Sequence, residues 1–430
     1  MFTKKQFISF VGLFVTLFGY SQNLNQIINF SETERIEKYL SSDALEGRKV
    51  YSKGIDVAAN FIAQEFSNIG LQKGGNNGYL QSFVMLKPLF KSVSCLMDGV
   101  PAETKNVIAI TTEAHLVVNE TSGYEMVVIK KEDNFFQIAN KYLRANKNYI
   151  VLVDESFASN FSRLIQFKNT ISSQQKSVVY ILTNRMPTTI SIDAVHQIEQ
   201  LNLSNVVGMI PGKSLPNEYV IFSGHYDHLG INLKNAVNGD SLFNGANDDA
   251  AGTTAMIMLA KYFASVANNE RTLVFTAFTA EEVGGFGAQY FSKQFDPLQV
   301  KAMFNIEMIG TESKWGKNSA YITGFEKTDM GNILQKNLAG SGFTFYPDPY
   351  PTQNLFYRSD NATLARTGVP AHTISTSKMD SEPHYHKPSD QFETIDIANM
   401  TEIIKAIATS AQSIISGKDT PSRVDTTQLR

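Results

Sequence analysis

Residues 219–228, YVIFSGHYDH, place an apolar run directly before two histidines and an aspartate. The run from Tyr219 to Phe222 is typical of a buried strand, because it is short, continuous and built from β-branched and aromatic residues. The chain contains only seven histidines in 430 residues, and two of them stand here. The stretch therefore predicts a strand whose carboxyl end carries either a polar surface turn or part of a metal site.

Strand-like and helical segments alternate from residue 204 to the end of the chain. Further strand-like runs are TLVFTAF, AMFNIEMIG, SAYITG and VPAHTIST, and the helical patterns cover 250–266, 284–294, 329–339 and 396–415. Strands that alternate with helices of about 10–15 residues favour a parallel sheet. The predicted fold class is therefore α/β, with a mostly parallel mixed sheet covered by helices.

The preceding half of the chain has a different character. Residues 32–70 show helical periodicity, whereas strand-like runs such as NVIAI, YIVLVD and SVVYILT are spread through the region that follows. This change indicates an inserted α/β subdomain within a larger domain. The predicted organisation is an N-terminal part of the main domain, an insert, the rest of the main domain and a flexible polar tail, at 23–85, 86–203, 204–416 and 417–430.

The first 22 residues have the pattern of a secretory signal peptide. Lys4 and Lys5 precede an apolar stretch from Phe7 to Phe18, and small residues follow, so that cleavage is expected near Ser21. The alternative of a membrane anchor is disfavoured, because a helix that crosses a bilayer needs about 20 apolar residues. The prediction is an exported protein, periplasmic or extracellular, with no membrane attachment after cleavage.

Composition excludes several classes of partner. The formal net charge is −3, and no run of Lys or Arg is longer than a pair, so nothing predicts binding to nucleic acid or to an anionic membrane. Charged residues make up 18% of the chain and hydrophobic residues 43%, as in ordinary globular proteins. The single cysteine, Cys95, cannot form an internal disulfide.

Acids and histidines recur close to the predicted strand ends. The five segments are SGHYDHLG, NGANDDAAGT, TAEEVGG, NIEMIG and HYHKPSD. Each alone has an ordinary interpretation as a surface pair, a helix cap or a polar loop. Together they predict convergence, because ligands of open α/β sheets gather at the carboxyl ends of the strands. Imidazole and carboxylate groups suit zinc, and a bridging carboxylate permits two metal ions about 3.5–4 Å apart.

Adjacent Glu281 and Glu282 can divide the work of such a site. Consecutive side chains at a strand end point in different directions, so one carboxylate can hold a metal ion while the other faces the attacking water as a general base. The residue types alone do not say which glutamate has which role.

The same five segments carry a resemblance to a known family. GHYDHLG, GANDDAAGT, TAEEVGGFGAQYF, FNIEMIG and YHKPSDQFETID resemble the co-catalytic di-zinc exopeptidases, which include bacterial leucyl aminopeptidases, glutamate carboxypeptidase and the transferrin receptors. The resemblance covers roughly 204–412, and residues 41–75 also resemble the usual N-terminal part of the family. Many relatives carry a protease-associated domain near the position of the insert, but residues 86–203 contain no motif that identifies one.

The resemblance implies a zinc aminopeptidase-like fold with two Zn²⁺ ions per chain. The implied ligands are one histidine and one glutamate for each ion, with an aspartate bridging the pair: His225 and Glu307, Glu282 and His386, and Asp248. Glu281 matches the general base that takes a proton from the metal-bridging water and passes it to the leaving amine. Asp227 matches the acid that orients the first histidine, and the peptide bond between Asp248 and Asp249 is implied to be cis.

Two departures from the family pattern affect the expected specificity. The family usually has aspartate at the position of Glu307, and it usually has SDH where this chain has SDN at 359–361. A sister family with glutamate at the first position contains carboxypeptidases. A carboxypeptidase needs a cation for the free carboxylate of the substrate, and Arg358 is the candidate, although a solvated loop position is its simpler interpretation.

The function expected from these observations is an exported zinc exopeptidase that acts on peptides or dipeptides, with removal of N-terminal residues favoured. The alternatives are a carboxypeptidase or dipeptidase of the same family, a glutaminyl cyclase that binds one zinc ion, and a non-enzymatic binding ectodomain. The additional histidines near the site, His228, His372 and His384, are predicted to pack or to form loop hydrogen bonds. Side-chain preference, natural substrate and oligomeric state have no readable signal in the sequence.

Overall fold

The computed structural model describes residues 24–429, so the predicted signal peptide at 1–22 lies outside the described residues. The chain divides into two compact units. The first contains the residues up to Ser82 and those from Leu203 onward, and the second contains Phe83–Asn202. The sequence places the corresponding insert at 86–203. Within residues 24–429, no helix has the length and apolar character that crossing a bilayer requires.

The N-terminal part of the first unit contains two helices and a short strand. Helix α1 spans Phe30–Leu40, helix α2 spans Lys53–Ile69 and strand β1 spans Gln72–Lys73. Helix α1 begins after Asn29, whose side chain accepts the backbone N–H of Glu32 and so satisfies one free donor of the first turn. Helix α2 ends at Gly70, whose φ of 84° is the left-handed conformation that glycine adopts without steric cost.

The second unit is built around a four-stranded sheet with the order β4-β9-β7-β6, in which the last three strands are parallel. One face of this sheet packs against helix α3 and the segment 157–171, and the other face packs against β5 and the long strands β2 and β10. The strands are β2 (Leu80–Met97), β3 (Val100–Pro101), β4 (Val107–Ile110), β5 (His115–Val118), β6 (Glu125–Ile129), β7 (Tyr149–Val153), β8 (Ile171–Ser172), β9 (Val178–Leu182) and β10 (Ile190–Ile210), and the helices are α3 (Phe135–Arg144) and α4 (Ala158–Phe161).

Strands and helices alternate in the larger part of the first unit. The strands are β11 (Leu215–His225), β12 (Gly230–Ile231), β13 (Leu242–Phe243), β14 (Arg271–Phe278), β15 (Val300–Ile306), β16 (Ser319–Ile322), β17 (Thr344–Pro347) and β18 (Ala371–Ser375). The helices are α5 (Ala251–Val266), α6 (Phe286–Ser292), α7 (Met330–Asn337), α8 (Asn361–Ala365), α9 (Ile397–Ser410) and α10 (Gln412–Ile415).

The main sheet of this unit has the strand order β17-β16-β18-β15-β11-β14-β10. The four central strands, from β18 to β14, are parallel, whereas β10 is antiparallel to β14 and β16 is antiparallel to β18. The predicted mostly parallel mixed sheet is therefore confirmed. His225 at the end of β11 pairs with Phe278 at the end of β14, so these strands finish at one edge of the sheet.

Aromatic packing fixes the centre of this sheet. Phe222 in β11 stacks on Phe275 of β14 at a centroid distance of 5.4 Å and on Phe304 of β15 at 4.8 Å. The ring of Phe263 in helix α5 also packs against Phe222. All residues of this helix from Ala251 to Ala260 are buried. Such a helix is apolar on every side, as expected for one enclosed by its neighbours.

The segment 417–429 differs from the predicted flexible tail, because it packs along the first unit. The buried guanidinium of Arg271 donates hydrogen bonds to the carbonyl of Asp419 at 2.8 Å and to the hydroxyl of Thr420. Val424 is buried, and its backbone N–H donates to the carbonyl of Gly368. The polar residues of 417–429 therefore belong to a segment that is hydrogen-bonded to the first unit, not to a free end.

Candidate metal centre

The five predicted metal ligands converge at the carboxyl edge of the main sheet. His225 ends β11, Glu282 lies in the turn after β14, and Glu307 directly follows β15. Asp248 lies in the loop before α5, and His386 lies in the loop between β18 and α9. The strand order therefore joins residues that are far apart in sequence, as expected for an open α/β sheet.

The carboxylate of Asp248 lies between two groups of ligand atoms. Its Oδ1 atom is 3.2 Å from Nε2 of His225, and its Oδ2 atom is 3.2 Å from Nε2 of His386. His386 Nε2 is also 3.2 Å from Oε2 of Glu282, whereas Glu307 groups with His225. Each oxygen of one carboxylate thus faces a different histidine, which is the arrangement of a bridging ligand.

The donor set fits two zinc ions. In tetrahedral coordination with bonds of about 2.0–2.1 Å, neighbouring ligand atoms lie roughly 3.3 Å apart. The separations of 3.2 Å around Asp248 are close to this value. Nε2 of His225, Oε2 of Glu307 and Oε1 of Glu282 are buried and have no hydrogen-bond partner. Unpaired buried donors and acceptors are costly, so a cation that they share would remove the cost.

Asp249 holds three parts of this edge together. Its carboxylate accepts the backbone N–H groups of His225 at 3.1 Å, Gly252 at 3.0 Å and Met308 at 3.0 Å. These donors come from the end of β11, the first turn of α5 and the residue after Glu307. The bond from Asp248 to Asp249 is cis, as the resemblance implies.

The loop that carries Asp248 is fixed from its other side by Asp390. This buried carboxylate accepts the backbone N–H of Asn247 at 2.8 Å and that of Asp248 at 3.0 Å. Burial raises the pKa of Asp390 to about 6, although the hydrogen bond from Asn247 opposes the shift. Asp390 and Asp249 are therefore positioning residues, and no feature of the sequence distinguishes them from the predicted ligands.

The main chain and the side chain of Asp227 contact different parts of the site. Its backbone carbonyl lies 3.1 Å from Nδ1 of His225, whereas its carboxylate is 3.9 Å from the same nitrogen. The carboxylate instead accepts the backbone N–H of Glu281 at 3.0 Å and that of Glu282 at 3.3 Å. The main chain of Asp227 thus makes the closer contact to the imidazole, and the side chain fixes the turn that carries both glutamates.

Glu281 lies in the same acidic pocket. Burial raises the pKa of Glu281 well above its usual range, and the carboxylates of Glu307 and Asp360 add to the effect, while His225 opposes it. Burial also raises the pKa of Glu307, to about 7. For His386, the carboxylates of Asp248 and Glu282 outweigh burial and raise the pKa to about 10.

A cavity adjoins the ligands on the side of Glu307. Its lining combines apolar side chains, hydroxyl groups, one carboxylate, one guanidinium and two phenols: Glu307, Met308, Tyr321, Thr323, Leu355, Arg358, Ser359, Thr373, Ser375, Met379 and Tyr385. Arg358 is exposed and therefore lies at its rim, within 3.3 Å of the hydroxyl of Tyr385. This cavity is the candidate position for the substrate.

Tyr385 is a site residue that the sequence reasoning missed. Its ring stacks on the ring of His386 at a centroid distance of 3.9 Å, and the residue lines the cavity. Burial raises the pKa of the phenol far above its usual value, and the charge of Asp248 acts in the same direction, so the hydroxyl keeps its proton. The only available signal was its place between two histidines in HYH.

The three additional histidines have different surroundings. The prediction of loop hydrogen bonds is confirmed for His372, which bonds to the Thr328 hydroxyl at 2.7 Å and the Thr323 carbonyl at 2.8 Å, and for His384, which lies 2.9 Å from the hydroxyl of Ser389. The ring of His228 packs on the loop at Gly245 without such a hydrogen bond. That side chain is fully buried and lies against Glu282, within one of the groups that can hold a metal ion.

Arg48 connects the N-terminal part of the first unit to the ligand loops. Its guanidinium is buried and donates hydrogen bonds to four main-chain carbonyls, those of Leu40, Tyr226, Asn244 and Gly245. Two of these carbonyls belong to the loop that leads to Asp248, and one lies between His225 and Asp227. The position of the ligand loops therefore depends on a residue far upstream in the sequence.

The part of the chain that contains these ligands matches a known family. Residues 205–411 fit the model of peptidase family M28. These residues are similar to an M28 peptidase domain. A probable leucine aminopeptidase of Trichophyton verrucosum (strain HKI 0517) is 30% identical over 214 residues, which are 48% of this chain and 56% of that protein. The match therefore spans little more than half the length of this curated relative.

Solved structures show that the M28 domain and the rest of the chain share the fold of known zinc aminopeptidases. The aminopeptidase from Aneurinibacillus sp. strain AM-1 superposes with a TM-score of 0.55 at 17% identity, covering 92% of this chain and 96% of that one. BSAP, a zinc aminopeptidase from Bacillus subtilis, gives 0.54 at 16% identity, covering 92% and 98%. At these identities the likeness establishes the fold.

Proposed function

We propose that this chain is an exported zinc-dependent exopeptidase that removes N-terminal residues from peptides. The observation that carries the proposal is the position of Asp248 between two histidines, with one carboxylate oxygen 3.2 Å from each. Each half of this arrangement is completed by a glutamate, Glu307 on one side and Glu282 on the other. A complete ligand set disfavours a binding ectodomain, which would have no reason to keep these costly buried groups.

The residues have separate roles in hydrolysis. His225, Asp248 and Glu307 would hold one zinc ion, and Asp248, Glu282 and His386 the other. Zinc, when bound, supplies Lewis-acid chemistry that polarises a carbonyl and acidifies a water molecule. Glu281 accepts the proton of the attacking water and delivers it to the leaving amine, and burial raises the pKa of this carboxyl above its usual range.

Tyr385 is suited to stabilise the oxygen of the scissile carbonyl. Its hydroxyl borders the cavity next to Glu307 and keeps its proton. A donor that is fixed before the reaction stabilises negative charge without reorganisation, because its orientation is already set. Stacking on His386 supplies that fixed orientation.

The charged groups around the cavity are the basis for proposing cleavage at the N-terminal end of the peptide. A free N-terminal ammonium group finds several carboxylates at the ligand edge, whereas a free carboxylate would find one exposed cation, Arg358, among the cavity-lining residues. A carboxypeptidase or dipeptidase is the second candidate, because Arg358 borders the cavity rather than lying in a remote loop. Glutaminyl cyclisation is disfavoured by a donor set that suits two metal ions instead of one.

Rates on paired substrates test the proposal. An aminoacyl anilide and an N-blocked dipeptide with a free C-terminus are compared, each with added zinc and with a chelator control, and bound metal is counted in the same preparation. Cleavage of the anilide, loss of activity with the chelator and two zinc ions per chain are expected. Cleavage of only the blocked dipeptide would overturn the direction, and Arg358→Ala would then identify the carboxylate partner.

Export is tested separately by sequencing the N-terminus of the protein recovered outside the cytoplasm. A mature chain that starts close to residue 22 is expected, since Lys4, Lys5 and the apolar run after them have the pattern of a cleaved signal. An intact Met1 on the recovered protein would contradict it.

A further inference from the structure

The side chain of His228 is completely buried beside the ligands, although the family resemblance gives it no role. Its backbone N–H donates to the carbonyl of Arg48 at 3.2 Å. Its ring packs on the loop at Gly245, where a Cβ atom would come within 2.5 Å of the ring carbon Cγ. Gly245 also has a positive φ of 61°, so the chain keeps a glycine where the imidazole needs the space. These contacts therefore hold the ring of His228 in one defined position.

The nitrogen atoms of His228 have no ordinary partners. Among the four buried histidines within residues 24–429, only His228 has neither ring nitrogen in a hydrogen bond. His372, by contrast, has both nitrogens bonded. A buried imidazole without a hydrogen bond is costly, and natural proteins rarely keep one without a function. His225, a predicted ligand, shares the feature of an unpartnered Nε2 atom.

The geometry around His228 converges on the second metal position. Its Nδ1 atom lies 2.7 Å from Oε1 of Glu282, yet neither atom is aligned for a hydrogen bond with the other. The two atoms and an oxygen of Asp248 all lie within 4.8 Å of one another. A close approach without hydrogen-bond alignment is consistent with two atoms that face a common cation. The ring of His386 lies close by, with its centroid 5.8 Å from that of His228 and an angle of 68° between the two ring planes.

We propose that His228 is a protein ligand of the metal ion held by Asp248, Glu282 and His386. This inference rests on the proposed two-metal function and adds a specific asymmetry to it. Four protein groups would then saturate this ion, whereas His225, Asp248 and Glu307 leave an open position on the other. Closed tetrahedral sites are typical of structural zinc and open ones of catalytic zinc. One ion should therefore bind tightly, and the other should exchange readily.

Cobalt substitution of a cysteine variant tests the ligand directly. His228→Cys places a thiolate near the position of Nδ1. Cysteine is shorter than histidine, and a metal–sulfur bond of about 2.3 Å offsets part of that difference. The wild-type background contains no competing thiolate, since Cys95 is the single cysteine and is buried in the second unit. We expect an intense thiolate-to-cobalt charge-transfer band in the near ultraviolet. His115→Cys, an exposed position in the second unit, is the matched control and should give no such band.

Metal affinity provides the second measurement. His228→Ala, folded by circular dichroism, should lose affinity for one ion by more than the 10–100-fold that loss of an outer hydrogen-bond partner typically costs. His386→Ala gives the reference loss for a ligand. Two ions bound with wild-type affinity in His228→Ala, together with no thiolate band in His228→Cys, would overturn the inference while leaving the proposed function intact. A wild-type chain that binds fewer than two cobalt ions at saturation would instead overturn both.

Discussion

The carboxylate of Asp227 accepts the backbone N–H of Glu281 at 3.0 Å, so an acid at the end of one strand fixes the turn after its parallel neighbour. The second oxygen accepts the N–H of Glu282 in the same way. Two side chains with different proposed roles, a base and a metal ligand, therefore share one anchor. Their separation in space is set by this anchor rather than by either side chain alone.

Asp227→Asn should lower kcat/KM by about 10–100-fold, the range for partners one step removed from a metal ion. An amide has one acceptor oxygen, and its NH₂ group would face a backbone N–H that needs an acceptor. Steady-state rates and metal content measured on one preparation check the prediction. Asp193→Asn, an exposed acid paired with His115 in the second unit, is the control and should leave both values unchanged. An unchanged rate in Asp227→Asn would mean that the turn holds its shape without the carboxylate.

Glu281→Gln should retain both metal ions and lose turnover by about 10²–10⁴-fold, because glutamine is nearly isosteric but cannot accept a proton from water. Glu282→Gln is the matched variant at the adjacent position, and it should lose affinity for one metal ion as well as activity. Atomic emission for bound metal and initial rates distinguish the two. A near-normal rate in Glu281→Gln would remove this residue from the mechanism.

Tyr385→Phe should lower kcat by about 10²–10³-fold with metal content intact, the cost typical of losing one donor to a developing oxyanion. The ring and its stacking on His386 remain, so the variant isolates the hydroxyl. Tyr357→Phe removes a phenol outside the cavity lining and serves as the control. If kcat is unchanged and KM rises instead, the hydroxyl contributes to ground-state binding only.

Glu37 predicts a pH-dependent stability that is independent of catalysis. Its carboxyl is fully buried and accepts the hydroxyl of Thr254, and burial raises its pKa to about 8 from the usual 4.5. The folded state therefore holds a proton that the unfolded chain releases. The stability from this group is complete below about pH 4.5 and is lost as the pH rises towards about 8.

Glu37→Gln should consequently gain stability relative to the wild type as the pH rises from 5 to 8. The gain should be on the order of a few kcal/mol, at about 1.4 kcal/mol per pH unit. Urea unfolding of both proteins with a chelator present keeps metal loading constant across the series. A difference that does not change with pH would show that Glu37 ionises normally in the folded chain.

The convergence of three predicted ligands could be read from the sequence because each of the three follows an apolar run. His225, Glu282 and Glu307 lie at or just beyond the ends of β11, β14 and β15, and parallel strands bring such ends to one edge. His228 escaped the same reasoning because it lies in an irregular segment, where spacing from His225 does not fix the direction of the ring. Only the loop at Gly245 and the carboxylate of Glu282 determine that direction.

The terminal segment shows a similar limit of sequence reasoning. Its polar residues predict a free tail. The segment is instead held in place by hydrogen bonds from one buried cation, Arg271, which lies about 150 positions away in sequence. Short-range periodicity does not contain that information. Tyr385 is comparable, since its role depends on stacking against the neighbouring His386 and on which side chains enclose the cavity.

The hydrogen bonds of Arg48 impose an order on how the protein can be completed during synthesis. Arg48 emerges before the second unit, whereas Tyr226, Asn244 and Gly245, which supply three of its four carbonyl acceptors, emerge after it. Until then its charge has to remain in water, because burial without acceptors is prohibitive. The second unit, a continuous segment with its own core, can fold meanwhile. The sheet edge that carries the predicted metal ligands is therefore assembled late, when the segment with Tyr226, Asn244 and Gly245 packs against Arg48.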